Sequence, residues 1–166
     1  MKGAVIWITG LPSSGKSVLA ERVHRRLKYE GKPCCVLDGD EVREALVPSP
    51  GYDEDARNAF YETLARLAAL LARQGLLVIV PATAHLRAYR DRARELAPRL
   101  VEAYVHTDRQ TCAHRDSKGL YAAVQKGQAH GLPGVDLEYE PPHAPEIVAL
   151  GGYDEAAIEK IVHAVA

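Results

Sequence analysis

Short apolar runs alternate along this chain with longer stretches in which apolar residues recur every three to four positions. Ala4–Thr9 and Leu76–Val80 have no polar face, the pattern of strands buried on both sides of a parallel sheet. Cys34–Leu37, Leu100–His106 and Glu146–Leu150 complete five predicted strands. Between them, Val18, Leu19, Val23 and Leu27 keep a helix period, so a helix is expected over Gly15–Tyr29, stopping before Gly31-Lys32-Pro33. A short helix over Glu41–Leu46 is broken by Pro48-Ser49-Pro50-Gly51. A long one fits Asp53–Gln74, with Leu64, Leu67, Ala68, Leu71 and Ala72 on one face and Gly75 as its stop. Arg87–Leu96, Arg109–His114 and Asp154–Val165 read as further helices. Arg115–Pro145 is rich in Gly, Pro and charge, and predicts a lid with a helical piece over Leu120–Lys126 followed by a loop.

Strand–helix alternation of this kind predicts an α/β fold, with a mainly parallel five-stranded sheet and helices on both faces. The length, 166 residues, suits a single domain spanning 1–166, its lid and substrate loop lying at about 109–145. Ligands of such sheets bind beyond the carboxyl ends of the strands. Three segments then meet in one cleft: the loop after Thr9, the turn Asp38-Gly39-Asp40, and Pro81–His85.

The first of these segments carries the clearest chemistry. Gly10-Leu11-Pro12-Ser13-Ser14-Gly15-Lys16-Ser17 is G-x-x-x-x-G-K-[ST], a phosphate-binding P-loop. Its glycines let the backbone curl around an anion, and the helix that begins at the loop points its positive end, with Val18 in its first turn, at the same phosphates. Lys16 is expected on the β- and γ-phosphates of ATP, and Ser17 on Mg²⁺. A chance glycine- and lysine-rich loop is the alternative, and the flanking strand and helix argue against it.

Asp38 and Asp40 sit at a strand end beside that nucleotide. One carboxylate can take the proton of an acceptor hydroxyl, and the other can hold Mg²⁺ through water. Asp40 is read as the base and Asp38 as the metal partner. Asp-Gly is also a turn pair, and Asp40 could instead cap the helix at Glu41. Arg43, one helical turn beyond Asp40, and Arg57 can grip an anion with paired hydrogen bonds, or be solvated surface arginines. Arg109, Arg115 and Lys118 form a lid cluster that can neutralise a transferring phosphoryl group, or a solvated charged face. The seven histidines show no paired metal spacing, and His85 alone falls in the cleft.

Bulk properties exclude more than they identify. A formal net charge of −1 offers no basicity for nucleic acid or a membrane surface. No stretch approaches the ~20 apolar residues of a membrane span. Cys34, Cys35 and Cys112 lack zinc spacing, and an odd count argues against a disulfide framework. Cys34 and Cys35 read as small core residues. A cytoplasmic location is expected.

Four segments together resemble the adenylylsulfate kinase (APS kinase) family. They are Ile8–Ser17, Leu37-Asp38-Gly39-Asp40-Glu41-Val42-Arg43, Arg115-Asp116-Ser117-Lys118-Gly119-Leu120-Tyr121, and Gly134-Val135-Asp136 with Tyr139-Glu140-Pro141-Pro142. Their order and spacing hold over nearly the whole chain. The resemblance implies a P-loop fold of nucleoside-kinase type, and transfer of the γ-phosphoryl of MgATP to the 3′-hydroxyl of adenylylsulfate in sulfate assimilation. It implies Asp40 as base, Lys118 as the catalytic lid lysine, and Arg43 and Arg57 on the acceptor; from the P-loop and the lid themselves, Lys16 is read as the second catalytic cation and Arg115 as a nucleotide contact. It also implies pairing into a homodimer.

Departures from the family pattern gather on the acceptor side. Phe60 stands where the family has a substrate-binding Asn, and Glu62 and Thr63 where it has two arginines. Asn58 lies two residues early, on a different helix face. Pro81-Ala82-Thr83-Ala84 replaces the family's S-F-I-S, and Leu132 replaces the first residue of its F-T-G-I. The two lost phenylalanines sandwich the substrate adenine in the family, and stacking of that kind is worth roughly 1–3 kcal/mol per base. Phe60, Ala82, Thr83, Ala84 and Leu132 are therefore the positions expected to define the acceptor site. The acceptor is read as adenylylsulfate or a related small anionic molecule; a cytidine-based phosphoramidate and a small anionic alcohol are alternatives. A nucleotide-binding regulatory protein without acceptor chemistry is the competing class, and Asp40, Arg43 and the Arg115–Tyr121 motif argue against it.

Overall fold

A computed structural model describes residues 2–166. Its elements run β1 (Ala4–Thr9), α1 (Lys16–Tyr29), β2 (Cys34–Val36), α2 (Gly39–Ala45), α3 (Glu54–Arg73), β3 (Leu77–Pro81), α4 (Arg87–Leu96), β4 (Leu100–Val105), α5 (Arg109–Arg115), α6 (Leu120–Gln125), β5 (Ile147–Ala149) and α7 (Glu155–Ala164). The five strands form one parallel sheet in the order β2-β3-β1-β4-β5. From β1 the sheet extends one way through β3 and β2, and the other way through β4 and β5. The carboxyl end of β1 thus lies at the switch point of the sheet, where ligands of such folds bind.

Apolar runs serve both faces at once. Ala4, Ile6 and Ile8 of β1 pack with Leu19, Val23 and Leu27 of α1 and with Ile158 and Ile161 of α7. The intervening Val5 and Trp7 pack on the other face with Phe60, Leu64 and Ala68 of α3 and Ala93 of α4. The period of two is present, but both faces are buried, so it is invisible as polarity. A third, smaller cluster of Cys112, Tyr121 and Leu132 lies in the lid.

Helix starts explain the boundaries that differ from expectation. Asp53, Asp108 and Asp154 each accept a hydrogen bond from a first-turn amide, capping α3, α5 and α7. α2 begins at Gly39 rather than Glu41, because Asp38 is its cap: Oδ1 accepts from Asp40 N at 2.9 Å and Glu41 N at 3.4 Å. Asp40 lies inside the first turn and is not the cap. The buried stripe of α3 is Phe60, Tyr61, Leu64, Ala65, Ala68, Ala69 and Ala72. Leu67 and Leu71, expected on that face, are only half-buried at its margin. Cys34 and Cys35 are also half-buried, and burial pushes both thiols above their ordinary range. No helix among the described residues is long and apolar enough to cross a membrane.

Candidate active site

The P-loop joins β1 to α1, so its backbone is fixed at both ends by the core. The Lys16 ammonium folds back to donate to Gly10 O at 3.0 Å and Leu11 O at 2.8 Å. Burial, reinforced by the nearby charge of Lys118, pulls Lys16 down to about 8. Three further segments hold the loop from outside. Thr107, just after β4, donates its hydroxyl to Ser14 O at 2.8 Å. In the lid, Ser117 N donates to Ser13 Oγ at 3.1 Å and Tyr121 OH to Pro12 O at 2.9 Å, while Arg115 reaches Ser14 O at 3.5 Å. Gly152 closes the fourth side. A Cβ there would fall 2.7 Å from Val18 Cβ and 2.8 Å from Gly15 O, so only glycine lets this loop lie against the start of α1.

α2 brings the two aspartates to the same place. Ser17 Oγ donates to Asp38 Oδ2 at 3.3 Å. Lys118, 78 residues away in the lid, forms an ion pair with the Asp40 carboxylate. The charges of Lys118, Asp40 and Asp38 all act on Lys16, so four of the expected residues share one locus. A hydroxyl beside a carboxylate is a hard oxygen pair of the kind that holds Mg²⁺ when phosphate oxygens and water complete its shell. Ser17 and Asp38 therefore fit that ion. Among the described residues, no cluster of three or more His, Cys, Asp or Glu could hold a metal by itself.

On the acceptor side the arginines are ordered. The Arg43 guanidinium lies between the rings of Phe60 (3.9 Å) and Tyr52 (4.3 Å), and donates to Gly51 O at 2.8 Å and Pro50 O at 3.4 Å. It is buried, not a solvated surface arginine. Phe60 is thus the floor beneath a cation, and is itself buried. Arg57 donates to Gly131 O at 2.7 Å, linking α3 to the loop after α6. Asn58 accepts from Tyr89 OH at 2.6 Å, and Tyr89 stacks on Tyr61 at 4.5 Å.

Not every expected acceptor residue joins this group. Ala82 packs into the core beneath α3, whereas Leu132 packs in the lid with Cys112 and Tyr121. Both are buried, so neither presents an open face in place of a lost ring. Thr83 supplies its carbonyl to Thr9, and Ala84 holds a left-handed backbone (φ 43°) with its amide donating to Tyr61 OH at 3.1 Å. His85 is buried with its ring against Tyr89; burial, followed by the charge of Arg57, pulls it down to about 4. Sequence reasoning gave no site role to Thr9, Arg90 or Tyr139, which meet below the P-loop. The one available signal was Glu102, a charge inside the apolar run of β4 that needs a buried partner; Arg90 supplies it at 3.8 Å.

Known proteins share this sequence pattern and fold. The adenylylsulphate kinase family model matches residues 2–150. The probable adenylyl-sulfate kinase of Archaeoglobus fulgidus is 38% identical over 144 residues, covering 87% of this chain and 93% of that protein. The adenylyl-sulfate kinase of Paraburkholderia xenovorans is 38% identical over 148 residues, covering 89% and 83%. Among solved structures, the Mycobacterium tuberculosis APS kinase CysC in complex with AMPPNP and APS superposes with a TM-score of 0.89 at 36% identity, covering 96% of each chain. The chain belongs to the adenylylsulphate kinase family and is a phosphotransferase of the class that uses an alcohol group as acceptor.

Proposed function

We propose that this family member transfers the γ-phosphoryl group of ATP to the 3′-hydroxyl of adenylylsulfate, working as one kinase domain with the 109–145 segment as lid and substrate loop. The observation that carries the reading is the Asp40–Lys118 pair beside Lys16. A nucleotide-binding protein needs the P-loop; it does not need a lid lysine brought to a strand-end carboxylate. The relatives add weight, since one is solved with both an ATP analogue and adenylylsulfate bound.

In this mechanism Lys16 and the loop amides hold the β- and γ-phosphates, while Arg115 closes over the nucleotide. Mg²⁺, held by Ser17 and through water by Asp38, would supply charge neutralisation on the phosphate oxygens. Asp40 orients the acceptor hydroxyl and accepts its proton. Lys118 then follows the charge from the carboxylate to the transferring group. Arg43, kept rigid by its two rings, presents its remaining donors to the acceptor's anionic group. Arg57, bound to Gly131, sets the loop on that side.

Ala82 and Leu132 change how the adenine is held, not which reaction is run. Nothing among the relatives supports a cytidine-based phosphoramidate or a small anionic alcohol in its place. The test is label transfer from γ-labelled ATP to a panel containing adenylylsulfate, the phosphoramidate and simple alcohols. Adenylylsulfate should be labelled fastest. Preferential labelling of another acceptor would overturn the assignment, and hydrolysis alone would support the regulatory class instead.

A further inference from the structure

Beneath the P-loop lies a buried polar junction with no part in the chemistry just described. Thr9, the last residue of β1, is fully buried. Its hydroxyl donates to Thr83 O at 2.6 Å. A hydroxyl has one proton and two lone pairs, and the other two contacts fit the lone pairs: Tyr139 OH at 2.8 Å and Arg90 Nη1 at 3.4 Å. With the Thr9 proton already committed, Tyr139 is the donor of its pair. Burial pushes the Tyr139 hydroxyl up to about 12, which keeps that proton in place.

The same junction straps a loop. The Arg90 guanidinium lies over the Tyr139 ring at 5.6 Å and donates to Glu140 O. Glu140 N donates to His85 O at 2.8 Å, and Arg87 donates to Pro141 O at 3.1 Å. The far end of the loop is fixed independently. Asp136 accepts from Gly131 N and Leu132 N, both at 2.7 Å, and Arg57 holds Gly131 O. Midway, Gly134 lies so close to Leu11 of the P-loop that a Cβ would fall 2.5 Å from Leu11 Cδ2. Residues 131–141 therefore run from the acceptor-side helix α3, past the P-loop, to the residue preceding it.

Apolar packing could hold such a loop down, but it would not fix its register. A partly buried hydroxyl pair does, because a slip of the loop leaves both groups without these partners. We propose that Tyr139 is a positioning residue: by donating to Thr9 it locks the 131–141 segment, one side of the acceptor site, in register with the phosphate loop. It touches neither substrate, and it acts through Thr9. The kinetic side of this inference rests on the kinase reading above; the structural side does not.

The test compares wild type with Tyr139→Phe, which keeps the ring and removes the hydroxyl, and with Thr9→Ser, which keeps the hydroxyl. Loss of one such bond should raise KM for adenylylsulfate roughly five- to tenfold in Tyr139→Phe. Saturated kcat and KM for ATP should stay within about twofold, and Thr9→Ser should behave as wild type. A parallel rise of both KM values, or no change in either, would overturn the proposal. Hydrogen exchange of residues 131–141, with and without AMPPNP, separates it from the kinase reading. Wild type should show slower exchange with the nucleotide and Tyr139→Phe should not. If wild type phosphorylates no adenylylsulfate, the kinase reading fails, and exchange decides: a nucleotide-independent 131–141 segment in wild type sinks the positioning role.

Discussion

Asp40 and Lys118 are both solvent-exposed, so their ion pair contributes little to stability and its value lies in where it holds two charges. Asp40→Asn should lower kcat by roughly two to four orders of magnitude while the Kd for ATP stays unchanged, as read by steady-state kinetics and nucleotide titration. A weakened ATP affinity with intact kcat would place Asp40 elsewhere in the mechanism. Ala82 carries the opposite expectation. Restoring the family's phenylalanine there does not rebuild a stacking face, because the site is core and a Cβ on Gly39 would already lie 3.3 Å from Ala82 Cβ. Ala82→Phe should cost about 1–3 kcal/mol, seen as a lowered Tm. A stable variant with tighter adenylylsulfate binding would contradict the burial. His85 sets a pH dependence. Folded, it takes up its proton only near pH 4, against about 6.5 for an unfolded histidine. Between those values the unfolded chain binds a proton that the folded one excludes, so stability falls as pH falls through that window. Tm measured across it should slope downward toward acid in wild type and more gently in His85→Gln; equal slopes would remove His85 from the account.

Elements were legible wherever local chemistry decides them. All five strands and the helices between them fall within a few residues of their expected bounds, because apolar runs, proline and glycine stops and acidic caps act over short distances. The P-loop, Asp40 and Lys118 were legible for a different reason: their motifs are contiguous, so resemblance could carry them. Tyr139, Arg90 and Thr9 were not. Tyr139 and Arg90 lie 130 and 81 positions from Thr9 along the chain, and only the sheet topology brings them together. Phe60 was read as an acceptor-site position, in place of the family's Asn; in the fold it is a support for Arg43, a relation that needs the α2–α3 packing to be visible. Gly152 was passed over altogether, since a glycine in a loop gives no sign of what it touches. Its close approach to Gly15 and Val18 makes it a support of the phosphate loop. Gly152→Ala should lower Tm and weaken ATP binding together, with a stability cost of about 1–3 kcal/mol. Thermal melts with and without nucleotide check this, and an unchanged ATP response would show that the P-loop tolerates the added methyl.

Across the whole molecule, one parallel sheet converts separated motifs into a single site. Its switch point sets the phosphate loop at the end of β1, the acidic turn follows β2, and the lid bridges back over both from the far side of β4. Secure contacts cluster on the nucleotide side, where three segments grip the loop backbone. Substitution concentrates on the acceptor side, where Phe60, Ala82 and Leu132 have withdrawn into core packing and rigid arginines remain. In the function we propose, this arrangement still phosphorylates a ribose 3′-hydroxyl of adenylylsulfate. ³¹P NMR of the products formed from ATP and adenylylsulfate, with wild type and Asp40→Asn in parallel, tests it most directly. A new 3′-phosphomonoester resonance, stoichiometric with ADP in wild type and nearly lost in Asp40→Asn, is the predicted result. ADP accompanied only by inorganic phosphate, or an equal 3′-phosphate signal from both proteins, would contradict it.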